Sequence, residues 1–168
     1  MIVVETPRLI LRYLTIEDRN ALLPILGDPE VMRFSIDGTK TSSQIGYFLD
    51  RVIDYQHRYG FSLYGVLDKQ TQQLMGFCGL LPWKHDGKTQ VELGYRLAKA
   101  HWGQGYGTEA ARAICNYAQE KLDISEIHIL IDPENKRSLS VAQKLGAIYQ
   151  EQTIFHGIKV NIYCLELL

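Results

Sequence analysis

Cysteine is scarce in this sequence. Cys78, Cys115 and Cys164 lie far apart, are odd in number and form no Cys-x-x-Cys pair. That argues against a zinc ribbon or a disulfide framework and fits buried free thiols in a reducing compartment. The five histidines show no ligand spacing, so no metal is expected. Excess charge is also missing: 18 basic and 19 acidic residues leave a formal net charge of −1. Such a balance argues against a general nucleic-acid binder, though it leaves room for one local basic site. No apolar run approaches the ~18 residues of a membrane span, and "MIVVETPRLILR" has neither an apolar signal core nor a cleavage site, so a cytoplasmic location with no membrane partner is expected. Repeats, linkers and low-complexity segments are absent. What remains is a globular composition, 46% apolar and 22% charged over 168 residues, expected to form a single domain across residues 1–168.

Along the chain, Arg8 to Leu14 alternates as a strand. Thr15 opens a T-x-x-D pattern closing at Asp18, the start of a helix running toward Gly27. "DPEVMRF" predicts a second short helix with Pro29 in its first turn, and "SIDGTKTSS" a polar loop. Between Gln44 and Tyr59, Ile45, Phe48, Leu49, Val52 and Ile53 recur at helical spacing. Three strands follow in "FSLYGVLD", "QLMGFCGLLPW" and Gln90–Ala98, with Asp86-Gly87 as a hairpin turn. A helix over Thr108–Lys121, the strand "EIHILID", a short helix from Ser138 to Leu145 closed by Gly146, and two strands meeting at His156-Gly157 complete the chain. Consecutive hairpins imply antiparallel pairing, and the helix between Gln90–Ala98 and Glu126–Asp132 implies one parallel crossover. The expected fold class is therefore α/β, with a mixed, mostly antiparallel central sheet.

"HWGQGYGTEA", His101 to Ala110, lies at that parallel junction. Gly103, Gly105 and Gly107 alternate directly before a helix. The first N–H groups of a helix lack internal partners and sit at the positive end of its dipole. Glycine lets backbone approach a bulky anion and adopt positive φ, so the loop suits a phosphate; the alternative is a tight turn that merely needs glycine. A P-loop would need Gly-Lys-Ser/Thr, which is absent. A dinucleotide loop counted from Gly103 would need Gly or Ala at position 108, which is Thr108, although Asp132 ends the next strand near where a ribose-binding acid could stand.

With these residues in view, the sequence resembles the GCN5-related N-acetyltransferases, and within them the branch that acetylates N-termini of ribosomal proteins. The likeness runs through "ETPRLILRYLTIEDRNALLPILGDPEVMRF", "VELGYRLAKAHWGQGYGTEAA" and "PENKRSLSVAQKLGA", in the family's order and spacing. It implies an acyl-CoA N-acyltransferase fold whose loop amides hold the pyrophosphate of acetyl-CoA as cosubstrate. By that likeness Trp102, Gly103, Gln104, Gly105, Tyr106, Gly107 and Thr108 form the cofactor loop. Trp102 stands where the wider family has Gln or Arg. Family members splay the two parallel strands beside the loop and hold the acetyl group in the gap. A backbone N–H around Tyr95, Arg96 and Leu97 would then face the developing oxyanion.

Acetyl transfer to an amine requires proton removal, oxyanion donors and an acid for the leaving thiolate. A lysine amine costs ~4–5 kcal/mol to deprotonate at pH 7, an α-amine only ~1 kcal/mol. Glu92 is the base candidate: in "QVELGYRL" it points away from the face shared by Val91, Leu93, Tyr95 and Leu97. The alternative is a solvated residue paired with Arg96. Gly94 suggests a bulge. Many relatives carry a tyrosine seven residues past the asparagine matching Asn135; here that residue is Ala142. Ser138 matches a serine proposed as acid in this branch, and is equally a natural helix N-cap. Asn135 would contact the pantetheine arm or a water, or serve as a turn residue. Tyr149 and Tyr163 could offer hydroxyls or simply pack. The expected activity is acetyl transfer to a primary amine, an α-amine of a protein N-terminus or a small molecule, by a monomer or homodimer. A non-catalytic acyl-CoA sensor and a dinucleotide-binding module are the alternatives.

Overall fold

The computed structural model describes residues 1–168. The strands are β1 (Ile2–Glu5), β2 (Leu9–Tyr13), β3 (Leu63–Asp68), β4 (Leu74–His85), β5 (Lys88–Leu97), β6 (Glu126–Ile131), β7 (Ile148–Phe155) and β8 (Ile158–Glu166). The helices are α1 (Arg19–Leu26), α2 (Ser42–Tyr59), α3 (Tyr106–Lys121) and α4 (Lys136–Leu145). All strands join one sheet in the order β1-β2-β3-β4-β5-β6-β8-β7, antiparallel except for the β5–β6 pair. The mixed sheet with a single parallel crossover is as the chain order implies.

Alternation along the strands sorts side chains to two faces. Leu9, Leu11, Tyr64, Val66, Leu93, Leu97 and Ile129 form one core with Ala110, Ala111 and Ile114 of α3 and Ala142 of α4. Leu63 and Phe77 form the other, with Leu22 and Leu26 of α1 and Ile45, Phe48 and Leu49 of α2. The T-x-x-D pattern folds as a capping box on a short 3-10 turn that runs into α1. Asp18 accepts from the Thr15 N–H at 2.8 Å and from both terminal nitrogens of Arg12 at 2.9 and 3.0 Å. Burial alone would raise the Asp18 pKa, but the Arg12 hydrogen bond and the Thr15 N–H outweigh it and hold the carboxyl below its usual range.

Three local expectations are corrected, and one strand is added. "DPEVMRF" forms turns, not a helix: Asp28 Oδ1 accepts from the Glu30 N–H at 2.9 Å, which competes with helical bonding. Val31 and Met32 are nonetheless buried in the α1–α2 core. The four-residue strand β1 was too short for its "IVVE" to show alternation, yet it pairs with β2. Gly94 pairs in register with Gly79, and the register shifts fall instead in the β1–β2, β3–β4 and β7–β8 pairs, the second of them beside Gly76. Finally, α4 begins at Lys136 and its N-cap is Asn135, whose side chain accepts from the Ser138 N–H at 3.2 Å. Ser138 is therefore inside the first turn and is not the cap.

Candidate active site

β5 and β6 pair at one position, Glu92 with His128, and then part. The ladder on the other edge of β5 fixes what faces the gap. Ala98 donates its N–H to Met75 O on β4 at 2.8 Å. In an antiparallel ladder alternate residues turn their N–H and C=O to the same edge. Hence Arg96, Gly94 and Glu92 spend their backbone groups on β4, while Leu93, Tyr95 and Leu97 turn theirs toward β6. Leu97 confirms the alternation, since its carbonyl accepts from Trp102 Nε1 at 2.9 Å on the open side. Of the three residues expected to offer an oxyanion donor, Tyr95 and Leu97 present an N–H to the gap and Arg96 does not.

The gap continues into a cavity of about 530 Å³ that reaches both faces of the sheet. At one end lies the start of α3. Gly105 is its N-cap, in the left-handed region at φ 81°, and no side chain caps the helix. Gly103 shares that conformation at φ 72°; a residue with a Cβ would be strained at either place. The N–H groups from Gly105 to Thr108 consequently lack intrahelical partners, and all four residues line the cavity. A row of free amides at a helix start, with no side chain in the way, fits a pyrophosphate.

Trp102 lines the same end, with the Arg137 guanidinium stacked 3.6 Å from its ring centre. Gln104 departs from the expectation. It is not among the lining residues; its carbonyl accepts from Arg8 Nη1 at 2.9 Å and its side chain donates to Ala100 O at 3.0 Å. Arg8 also bonds Glu109 at 3.0 Å and lies over the Tyr106 ring at 4.1 Å, so a residue from the start of the chain braces the loop from behind.

The sheet divides the remaining candidates. On the α3–α4 side, the Tyr95 hydroxyl meets Ser138 Oγ at 2.7 Å and also donates to Ser138 O at 3.3 Å. Burial raises the Tyr95 pKa to about 12, against a smaller lowering by Ser138. Ala142 is fully buried in the core and offers no group to the cavity. Tyr149 and Tyr163 pack edge-to-face at 5.8 Å and are not among the lining residues. On the α1–α2 side stands Glu92. Burial pushes its carboxyl up to about 7, opposed by the Arg96 charge.

The sequence had no signal for the Tyr95 phenol meeting Ser138 or for Arg137 on Trp102. These partners are 43 and 35 residues apart, and only the parting of β5 from β6 brings them together. Strand pairing also gathers Glu126, His128 and Cys164, whose ligating atoms lie within 4.8 Å of one another, a grouping that spacing along the chain hides. Within it Nε2 of the buried His128 lies 3.0 Å from Glu126 Oε1.

Because Asn135 is the cap, Asn135→Ala should cost about 1 kcal/mol of stability, or ~2–4 °C in Tm. Ser138→Ala should cost less, since Tyr95 keeps the Ser138 carbonyl as a partner. Thermal denaturation of the two variants checks this; a larger loss for Ser138→Ala would refute it.

Comparison with known proteins agrees with this geometry. The family profile described as an acetyltransferase (GNAT) domain matches residues 8–148. The Bacillus subtilis protein YkkB is 36% identical over 147 residues, 87% of this chain and 85% of that protein. The Bacillus licheniformis N-acetyltransferase p20 is 26% identical, over 97% of this chain and 94% of its own length. Among solved structures, a Salmonella typhimurium acetyltransferase described as modifying the N-terminal serine of ribosomal protein L7/L12 superimposes with a TM-score of 0.85 at 18% identity, over the whole of both chains. The ribosomal L7/L12 alpha-N-protein acetyltransferase RimL in complex with coenzyme A superimposes at 0.84 and 18%, over 99% of this chain and 98% of that one. This chain belongs to the GNAT family of acetyltransferases, which use acetyl-CoA, and it is an N-acetyltransferase. No helix is long and apolar enough to cross a membrane.

Proposed function

We propose that the protein moves the acetyl group of acetyl-CoA to a primary α-amine, on a protein N-terminus or a small molecule. The observation that carries this reading is the parted β5–β6 pair. It opens at one end on the uncapped amides of α3 and holds Glu92 and the Tyr95–Ser138 pair on opposite faces.

In this reading the amides from Gly105 to Thr108 bind the pyrophosphate, and Arg137 on Trp102 supplies a cation at the same end. The Tyr95 and Leu97 N–H groups face the thioester carbonyl and stabilise the oxyanion as it develops. Glu92, with a pKa near the working pH, takes the proton from the amine. With a pKa of about 12, the Tyr95 phenol is too weak an acid to protonate a thiolate fully. Its role is to donate a hydrogen bond to the leaving sulfur, with Ser138 Oγ setting the direction. Asn135 holds α4 so that Ser138 reaches Tyr95.

A base of pKa about 7 suits an amine that costs ~1 kcal/mol to deprotonate better than one costing ~4–5 kcal/mol. The fold shared with enzymes that act on ribosomal protein N-termini supports the same choice. The test is a competition for acetyl-CoA between two matched peptides, one with a free N-terminus and a blocked lysine, the other the reverse, read by release of free thiol. The free N-terminus should win by at least about tenfold. Comparable or faster acetylation of the lysine peptide would overturn the α-amine reading.

A further inference from the structure

Arg96 is a half-buried cation without a partner. It lies on β5 opposite Phe77 of β4, and the Phe77 ring packs on Phe48 of α2 at 5.3 Å. Directly opposed residues of an antiparallel pair share a face, so the Arg96 side chain belongs to the α1–α2 side. Glu92, opposite Leu81, lies four residues back on the same face. No hydrogen bond or ion pair engages the guanidinium. Burial lowers its pKa, and Glu92 opposes this through charge alone. A fork of five donors held in a partly dry cavity with nothing to bind is costly unless a ligand completes it.

The stretch between base and cation is bare for a reason that packing does not supply. Gly94 lies there, opposite Gly79. At Gly79 a Cβ would come 2.2 Å from the Ser62 carbonyl oxygen, so the fold itself demands glycine. At Gly94 a Cβ would meet only Leu63 Cδ2 at 3.6 Å and Leu81 Cδ1 at 4.0 Å, both ordinary contacts. A Cβ is thus tolerated by the fold at Gly94, and its lack leaves an open floor from Glu92 to Arg96. Val31, Met32, Phe48 and Phe77 wall this half of the cavity, and Lys40 and Arg51 stand in its lining.

We propose that the acceptor carries a carboxylate about one to two residues' length from its amine, and that Arg96 binds it while the linking segment crosses Gly94. This rests on the reading of Glu92 as the group that receives the amine proton. Glu92 and Arg96 are about 13 Å apart at their Cα atoms, from the strand rise over four residues. The long, flexible arginine side chain can lean over Gly94 toward Glu92, and the span then fits one or two residues of extended chain at about 3.5 Å each.

Two pairs of acceptors test the inference and separate the two sources of such an anion. The first pair is alanyl-phenylalanine and its carboxamide. The second is peptide amides beginning Ser-Asp and Ser-Asn. In at least one pair the acid should exceed its neutral counterpart by about 30-fold or more in kcat/KM, the size expected for a charge-assisted bidentate contact. Preference in the first pair assigns a free carboxyl terminus; in the second, an acidic residue following the N-terminus. In Arg96→Gln the acid-to-neutral ratio should fall to within about threefold of one, and Arg96→Lys should recover part of it. Gly94→Val should raise the KM of the preferred acid while the protein remains folded. Equal rates for acid and neutral members in the wild type would overturn the inference alone. So would an Arg96→Gln variant that raises the KM for acetyl-CoA and keeps the ratio, since Arg96 would then serve the cofactor. Turnover confined to lysine side chains would overturn the α-amine reading beneath it.

Discussion

Gly105→Glu is expected to abolish stabilisation of the protein by acetyl-CoA. At 100 times its dissociation constant, a ligand bound only by the folded state adds about 2.7 kcal/mol, or ~5–10 °C in Tm for a protein of this size. Gly105 caps α3 in the left-handed region, and a Cβ there would stand 3.4 Å from Arg8 Nη2. A glutamate side chain would leave toward Arg8, set a negative charge beside the amides that the pyrophosphate needs, and draw Arg8 from Glu109, which loosens the brace behind the loop. Gly105→Ala separates backbone strain from charge. Both variants should lose about 1–2 kcal/mol from left-handed strain. The alanine should keep part of the acetyl-CoA response and the glutamate none. Thermal-shift titrations of the three proteins decide it, and a full response in Gly105→Glu would place the pyrophosphate elsewhere. NAD should stabilise none of them. The sheet has one parallel pair, too few for the second half of a dinucleotide fold.

The loop was legible because its chemistry is local. Alternating glycines ahead of an amphipathic run declare free amides at a helix start, and the structure places Gly103 and Gly105 at positive φ. The strand order was legible for a similar reason, since hairpin turns such as Asp86-Gly87 and one long crossover leave few topologies. Glu92 could be assigned to a face by counting twos, but its pKa could not, because desolvation depends on what covers it. Ser138 shows the opposite case. Its residue type and place before a helical run are those of a cap, and only the dihedrals and bonding of Asn135 show that the helix has already begun. From the sequence, Tyr95 offers only its backbone N–H to the site. Its hydroxyl gains meaning only when α4 crosses the open strands and sets Ser138 against it. An isolated strand glycine such as Gly94 commonly marks a bulge, yet the shift next to this strand lies across β4 at Gly76, where a Cβ would lie 2.0 Å from the Arg96 carbonyl oxygen.

Glu92→Gln is expected to lower kcat at neutral pH by about 10²–10⁴-fold, the usual contribution of a general base. The wild-type kcat should rise with pH through a limb near 7, where burial has placed the carboxyl, and the variant should lack that limb. Stability should move the other way. The folded pKa is raised above the ordinary 4.5, so folding favours the protonated form. The stability contributed by that protonation is fully present below the unfolded pKa and is lost as pH rises through about 7. Glutamine mimics the protonated group at every pH. Glu92→Gln should therefore melt with the wild type near pH 4 and above it at pH 8, while turning over far more slowly there. Removing the Arg96 charge should raise the Glu92 pKa further and carry the kcat limb to higher pH, which ties the proposed anion site to the base. A merely solvated strand residue predicts none of this. If kcat falls by less than about threefold, far short of a base's contribution, and the melting difference is flat with pH, Glu92 is not the base, and proton removal passes to water at the mouth of the cavity.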